Sequence, residues 1–196
     1  MTTMRFNFIL VLECWFELDL VCFRSMKPQG KTPVVRRSAA AELPRGVAAR
    51  VRAVRRADLP EVIALDATVT GLHKADYWQR VYRRYGVAGQ GLRHFLVAVA
   101  GDGRVCGFVI GEVRDWEFGS PPCGWVFAID VDPNARQKGA GSLLLAAMCE
   151  RFERVGVRIL RTLLATDNQL LLSFFRSQGM RAGRLIPLEL EIGGQR

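Results

Sequence analysis

The stretch VDPNARQKGAGSLL, residues 131–144, joins an apolar run to an amphipathic one through a turn that carries two glycines. The run that leads into it, residues 125–131, has few charges, which is typical of a buried central strand. From Ser142 to about residue 155, apolar side chains recur at helical spacing, and Gly156 ends the pattern. The sequence therefore predicts a strand, a glycine-bearing turn and a helix in direct succession.

A turn of this kind can bind a phosphate through its own backbone. The first N–H groups of a helix have no partner within the helix, and the helix dipole adds partial positive charge there. Gly139 and Gly141 have no side chains to keep a pyrophosphate from these amides, and Arg136 and Lys138 add cationic groups nearby. The alternative is a structural turn whose glycines serve geometry alone.

Two better-known phosphate loops do not fit this turn. A dinucleotide-binding fingerprint that starts at Gly139 requires a glycine at position 144, which is Leu144. A P-loop requires a lysine after the second glycine, where Ser142 stands. The phosphate hypothesis therefore needs a different kind of loop.

Composition indicates one domain with an extension. The chain has 196 residues, 49% of them hydrophobic and 24% charged, and a net charge of +9, which suits an anionic ligand. Five cysteines without a CxxC pair indicate reduced thiols in a cytoplasmic protein. No zinc-type spacing occurs, so no metal is expected, and His73 and His94 lack ligand neighbours.

The first 46 residues differ in character from the rest. Residues 6–12 form an apolar run, but Glu13, Glu17 and Asp19 interrupt the next apolar positions, so neither a membrane span nor a secretory signal is expected. Residues 25–46 have the proline, glycine and basic composition of a linker. We therefore expect an accessory extension and linker at 1–46 and a folded domain at 47–196.

Further periodic stretches complete the predicted domain. Asp58 is placed to cap a helix that has Pro60 in its first turn, and glycines between two apolar runs at 101–103 indicate a hairpin. The predicted strands are 51–54, 94–100, 105–113, 125–131, 158–164, 181–185 and 188–192, and the predicted helices start near Asp58 and cover 76–85, 142–155 and 169–178.

In this setting, Arg136-x-x-Gly139-x-Gly141 after Val-x-Pro resembles the acetyl-CoA motif of the GNAT family of N-acetyltransferases, in which Arg or Gln precedes Gly-x-Gly or Gly-x-Ala. Residues 52–60 resemble the family's first strand and helix, 105–109 its hairpin strand, and 168–180 its last helix. Because several motifs occur in the family's order, the resemblance covers about residues 51–192.

The resemblance implies an α/β fold with a mixed, mostly antiparallel central sheet of about six to seven strands flanked by about four helices. It also implies that strand residues 128–131 splay from the strand at 158–164, and that the pantetheine arm of acetyl-CoA inserts between them. Asn168 matches a coenzyme-arm position, although a helix cap explains it equally well. The implied coenzyme-binding residues are Ile129, Asp130, Val131, Arg136, Gln137, Lys138, Gly139, Ala140, Gly141, Ser142, Asn168 and Phe175.

The implied reaction is direct attack of a neutral amine on the acetyl thioester, assisted by a general base. The base does not carry over from the family, and Glu112, Glu117 and Asp130 are the candidates because they lie on or beside strands expected to border the cleft. Phe175 stands where many members have a tyrosine that protonates the leaving thiolate, so that donor is absent. Trp116, Phe118 and Trp125 are candidates for lining an acceptor pocket.

Two other functions stay open at this point. Loss of the tyrosine fits a non-catalytic acyl-CoA-binding regulatory module with the GNAT fold. The basic charge fits a nucleic-acid binder, but no RNA-binding motif or recognition helix occurs, so no nucleic acid partner is expected. The expected partners are acetyl-CoA and an amine acceptor, a small molecule or a protein amine, with no membrane and a possible homodimer.

Overall fold

The computed structural model describes residues 49–87 and 91–192, where five strands form one sheet in the order β1-β2-β3-β4-β5. Strands β1 to β4 run antiparallel to their neighbours, whereas β5 is parallel to β4. The strands are β1 Arg50–Ala53, β2 Arg93–Val99, β3 Val105–Arg114, β4 Cys123–Val131 and β5 Leu160–Arg161, and the α-helices are α1 Leu59–Thr70, α2 Ala75–Val81, α3 Ala140–Arg154 and α4 Gln169–Ser177. The mixed, mostly antiparallel sheet and its helices are confirmed; the predicted extension at 1–46 lies outside the described residues.

The predicted hairpin is formed by β2 and β3. Gly103 adopts a φ of 88°, in the left-handed region that glycine tolerates, and its N–H donates to Ala100 O at 3.0 Å. The N–H of Ala100 donates to Arg104 O at 2.9 Å, which closes the ladder behind the turn. The hairpin thus depends on local turn chemistry that the sequence displays.

Alternation along the strands divides the core into two clusters, one on each face of the sheet. On one face, Phe95 of β2 and Phe108 of β3 pack around Trp78 of α2. On the other face, Leu96 and its neighbours pack beneath α3, which contributes Leu144, Met148 and Phe152. The α1/α2 face and the α3 face therefore have separate cores.

Helix boundaries differ from the prediction at two places. The stretch predicted as one helix at 76–85 is α2 followed by a π-helical turn, Tyr82–Val87, which still buries Tyr85. Helix α3 begins at Ala140 rather than Ser142, after a 3-10 turn Pro133–Lys138 and an N-cap at Gly139 with φ 84°. The second glycine of the motif is therefore already helical.

Asp58 precedes α1 as predicted, but its side chain does not cap that helix. The carboxylate instead accepts two hydrogen bonds from the Arg52 guanidinium, at 2.6 and 2.8 Å, and one from the Arg55 N–H at 2.6 Å. These donors hold the pKa of Asp58 below its usual value, with the Arg52 hydrogen bond as the largest cause. The acid thus ties β1 to the start of α1.

Over the described ranges the sheet has five strands in place of the predicted six to seven, because no ladder includes residues 181–192. Strand β5 is also shorter than predicted, with two residues in place of 158–164. Apolar side chains in the tail are open to solvent, with Leu188 92% and Ile192 88% exposed. Their alternating pattern has strand propensity, but within the described chain no neighbouring strand pairs with it.

Cys106 and Cys123 are buried thiols outside any disulfide. In the described ranges, no helix combines the length and the apolar composition required to cross a bilayer.

Replacing Asp58 by Asn should lower the free energy of unfolding at neutral pH by about 1–3 kcal/mol, since charge-assisted hydrogen bonds are lost. Because the folded-state pKa is lowered, the wild-type advantage should be present above the unfolded value and disappear as the pH falls through the folded value. Urea titrations across pH measure this. Glu150→Gln, which removes an exposed ion pair with Arg154 at 3.8 Å, is the control and should change little.

Gly141 packs against α4, and a Cβ there would lie 3.1 Å and 3.3 Å from two ring atoms of Phe174. Gly141→Ala should crowd this ring, and Phe174→Leu should relieve that crowding, so the double variant should be more stable than the sum of the two single changes predicts. A double-mutant cycle from urea titrations should give a coupling of about 0.5–3 kcal/mol. Additive effects would show that the glycine does not serve this contact.

Candidate functional site

The site is a cleft where β4 and β5 separate. The two strands pair at only two positions, Gly124 with Leu160 and Trp125 with Arg161. Beyond them the two strands no longer pair, and a small cleft lies between them. Its lining is mostly apolar and comes from β4, from the chain after β5 and from α4: Val126, Phe127, Ala128, Ile129, Thr162, Leu164, Leu171 and Phe175.

The backbone of β4 presents hydrogen-bonding groups to this opening. The Asp132 N–H donates to Cys106 O at 2.9 Å, so Asp132 faces β3. Backbone groups alternate in direction along a strand, so those of Val131 and Ile129 point away from β3, to the side where β5 has left the sheet. These are the two residues that the resemblance assigns to the coenzyme arm.

Side chains of the same segment occupy both backbone groups of Val131. Its N–H donates to Asp130 Oδ1 at 3.0 Å, and its carbonyl oxygen accepts from Arg136 Nε at 3.1 Å. Arg136 Nη2 also lies 4.0 Å from Asp130 Oδ1. We call this arrangement of Asp130, Val131 and Arg136 the clasp.

Asp130 lies on the α1/α2 face, and its environment makes the charged form less favourable than it is for an acid in water. Burial raises the pKa of its carboxyl to about 6, against the lowering effects of the Val131 N–H and the Arg136 guanidinium. Asp66 of α1 raises this pKa slightly, and Lys74 lowers it. A carboxyl that titrates near neutrality is suited to proton transfer.

Asp66 and Lys74 act on Asp130 through their charges, and the sequence analysis did not identify either residue. Asp66 is 1% exposed, and its carboxylate accepts from Trp78 Nε1 at 2.9 Å and from Lys74 Nζ at 3.1 Å. The sequence does indicate that Asp66 is buried, because it continues the helical spacing of Leu59, Val62 and Ile63. An acid therefore lies on the apolar face of α1. A buried acid in such a stripe requires partners.

At the far end of the cleft lies the start of α3. The N–H of Leu143 donates to Gly139 O at 3.0 Å, so the amides of Ala140, Gly141 and Ser142 precede the first ladder bond of the helix. The N-cap residue of α3 is Gly139, and in the described structure no side-chain hydrogen bond caps this end of the helix. The φ of 84° at Gly139 favours glycine, and a Cβ at Gly141 would crowd the Phe174 ring, so both glycines have conformational or packing roles besides any phosphate contact. Arg136 lies beside this turn, as do the backbones of Gln137 and Lys138.

Glu112 and Glu117 lie in a different part of the structure from Asp130. Glu112 binds Arg114 at 2.9 Å, Arg93 at 3.5 Å and the Tyr85 hydroxyl at 3.0 Å. Glu117 lies 3.5 Å from Arg114. These pairings give both glutamates partners within the protein, and neither lines the cleft.

The tryptophans predicted to line an acceptor pocket differ in exposure. Trp116 is 67% exposed and adopts a left-handed φ of 53°. Trp125 is buried, and the Arg114 guanidinium lies over its ring at 5.1 Å. A packing role therefore accounts for Trp125.

Two predicted coenzyme residues belong to α4. Asn168 Oδ1 accepts from the Leu171 N–H at 3.1 Å, which is an N-cap and accounts for this residue structurally. Phe175 is buried, lines the cleft and packs edge-on against Phe174 at 5.1 Å. Its ring adds apolar surface to the cleft but no proton donor.

Metal binding has no geometric support in the described part of the chain. Within residues 49–87 and 91–192, no group of three or more His, Cys, Asp or Glu side chains is arranged to hold an ion. His73 is exposed, and His94 packs against the Phe152 ring at 5.9 Å. Burial lowers the pKa of His94, which therefore favours its neutral form.

Solved structures share this fold. An aminoglycoside N-acetyltransferase, AAC(6')-Iy, in complex with CoA matches with a TM-score of 0.65 and 22% identity, over 76% of this chain and 97% of that chain. An aminoglycoside antibiotic 6'-N-acetyltransferase from Acinetobacter baumannii, AAC(6')-Ih, matches with a TM-score of 0.63 and 18% identity, over 74% and 99% of the two chains. At these identities the likeness concerns the fold.

Sequence comparison adds the family. An L-2,4-diaminobutyric acid acetyltransferase from Nocardia farcinica is 34% identical over 82 residues, which are 42% of this chain and 41% of that protein. The match thus spans less than half the length of this relative. The profile of the Acetyltransferase (GNAT) family matches residues 59–180, well over half of the chain. The chain therefore belongs to the GNAT family of acetyltransferases, as its motifs had suggested.

Proposed function

We propose that this protein transfers the acetyl group of acetyl-CoA to a primary amine by direct attack, without a metal. The observation that carries the proposal is the cleft between β4 and β5, which leads from apolar walls to the start of α3. An apolar slot beside strand groups that β5 does not pair with suits a thioester-bearing amide arm, and a helix start suits its phosphates. Family membership supplies the class of reaction.

In this proposal the pantetheine arm lies along Ile129 and Val131, with its amides directed at the β4 backbone. The pyrophosphate lies against the backbone of residues 137–142, and Arg136 adds a cation beside it. Asn168 and Phe175 lie near the arm, Asn168 as the cap of α4 and Phe175 as a wall of the cleft. Apolar walls exclude water from the thioester, which favours attack by the amine over hydrolysis.

Asp130 is the proposed general base. It is half-buried, it faces α1 and α2 rather than α3, and its pKa of about 6 lets it accept a proton near neutral pH. Glu112 and Glu117 are already paired with arginines and are the weaker candidates. The amine nitrogen bonds to the acetyl carbon, the C–S bond breaks, Asp130 takes the amine proton, and water protonates the thiolate because Phe175 cannot.

The proposed acceptor is a primary amine, either of a small molecule or of a protein. Because relatives are named for 2,4-diaminobutyric acid and for aminoglycosides, both belong in a test panel.

We further propose a folded domain at 47–196 with an accessory segment at 1–46, a cytoplasmic location and a homodimer. Reduced thiols support the location, and the exposed apolar tail supports self-association.

Ser142→Glu tests the coenzyme site. A glutamate at the third residue of α3 interacts favourably with the helix dipole, so the fold should keep its stability. The negative charge of this glutamate would, however, repel a diphosphate. The Kd for CoA should rise at least tenfold, measured by calorimetry. Ser142→Gln, of similar size and neutral, is the matched control and should stay within about threefold of wild type. Equal affinities for the two variants would place the diphosphate elsewhere.

Asp130→Asn tests the base. Its kcat should fall by about 10²- to 10⁴-fold on any amine that the wild type accepts, because the amide cannot take up a proton. Rates are measured at low acetyl-CoA and corrected for the fraction of amine that is neutral at each pH. The wild-type kcat/KM should then rise with pH through about 6 and level off, and this inflection should vanish in the variant.

The panel for this assay contains 2,4-diaminobutyrate, aminoglycosides, peptides with free N-termini and lysine peptides. Glu112→Gln and Glu117→Gln are the comparison variants, with smaller expected losses. Binding of CoA without turnover on any member would favour the alternative, a non-catalytic acyl-CoA-binding module.

A further inference from the structure

The clasp occupies the two backbone groups that a bound amide arm would need. In a regular sheet the Val131 N–H and carbonyl would bond to a neighbouring strand, but β5 pairs with β4 only as far as Trp125. Instead, Asp130 accepts from the N–H at 3.0 Å and Arg136 donates to the carbonyl at 3.1 Å. The two side chains thus satisfy groups that are otherwise exposed in the opening.

An arm that pairs with β4 uses the two backbone groups that these side chains bind. A strand edge binds an extended amide through the same N–H and carbonyl groups that a strand would use. The Val131 N–H is a single donor that Asp130 already accepts from, so pairing with the arm requires that carboxylate to leave. The carbonyl oxygen can accept a second hydrogen bond, so an arm that donates to it lets Arg136 exchange its bond for another acceptor.

We propose that the coenzyme opens the clasp, so that Asp130 is released towards the amine site and Arg136 towards the pyrophosphate only when the coenzyme is bound. This inference rests on the proposed function. It makes the coenzyme the first substrate to bind, because before it arrives the carboxylate is engaged with its own backbone. Asp130 and Arg136 thereby have two alternating sets of partners.

Opening the clasp changes the charge environment of Asp130. The groups that face it are Arg136 from the turn after β4, Asp66 from α1 and Lys74 just before α2. Burial has the largest effect on the pKa of Asp130 and raises it, as does Asp66, whereas the Val131 N–H, Arg136 and Lys74 lower it. Loss of the Val131 N–H and Arg136, with Asp66 and Lys74 in place, raises the pKa, so coenzyme binding should be accompanied by proton uptake at Asp130.

Calorimetric titration of CoA into the protein, in buffers of different ionisation enthalpy, measures that proton uptake. Between about pH 6 and pH 8 the wild type should take up more protons than Asp130→Asn, whose amide can still accept from Val131 but does not titrate. The CoA phosphates titrate equally in both proteins and cancel in the difference. Asp102→Asn, which removes an exposed carboxylate in the β2–β3 turn, is the control and should match wild type.

A second variant predicts a gain. Asp130→Ala removes a competitor for the Val131 N–H, so it should bind CoA about fivefold more tightly than wild type, in proportion to one net hydrogen bond of about 1 kcal/mol. A residue that merely contacts the coenzyme would lose affinity on truncation. Unchanged or weaker binding by Asp130→Ala would therefore overturn the inference.

The ¹³C carboxyl resonance of Asp130, recorded in the wild type with and without CoA, tests the same inference without a variant protein. Its pKa should be higher in the complex, and an unchanged or lower value would contradict release of the clasp. These outcomes are separate from the proposed function itself. If none of the proteins binds CoA, the proposed function fails; if all bind CoA with equal proton uptake, only the clasp inference fails.

Discussion

The parting of β5 from β4 is the constraint on which the site depends. A buried strand must have its N–H and carbonyl groups satisfied, and β5 does so only at Gly124 and Trp125. Farther along, Asp130 and Arg136 substitute for the missing strand at Val131. A sheet that opens in this way holds a cleft beside a row of directional backbone groups, and those groups can fix the position of an amide-bearing ligand.

The closed and open ends of this strand pair have different local causes. At the closed end, Gly111 and Gly124 carry no side chains, and Phe152 of α3 occupies the space above them. Farther on, a register shift in the β3–β4 ladder, where Gly111 pairs with Val126 and Ile110 with Ala128, leaves Phe127 as an extra residue. Such a bulge increases strand twist. We infer that it turns the end of β4 away from β5.

Local signals predicted the parts of the fold that local chemistry decides. Gly103 marks the hairpin and Gly139 the strand-to-helix turn, and both adopt the positive φ that glycine permits. Prediction failed where a distant partner decides the outcome. The alternation at 188–192 has strand propensity but no neighbour within the described chain, and Asp58, placed to cap α1, bonds to Arg52 of β1. Similarly, the pairing of Glu112 with Arg93 and Arg114 depends on strand register, which spacing does not reveal.

Asp66 and Asp130 show why burial alone does not define a reactive acid. Both lie on the α1/α2 face, but Asp66 accepts from the Trp78 indole and from Lys74, which are donors of the core that no ligand would displace. Among the described residues, the polar groups beside the Asp130 carboxylate are the N–H of the next residue and a guanidinium 4.0 Å away. Both of its partners face the opening between β4 and β5. Its protonation can therefore respond to what occupies the cleft, whereas the hydrogen-bond partners of Asp66 belong to α2 and the residue before it.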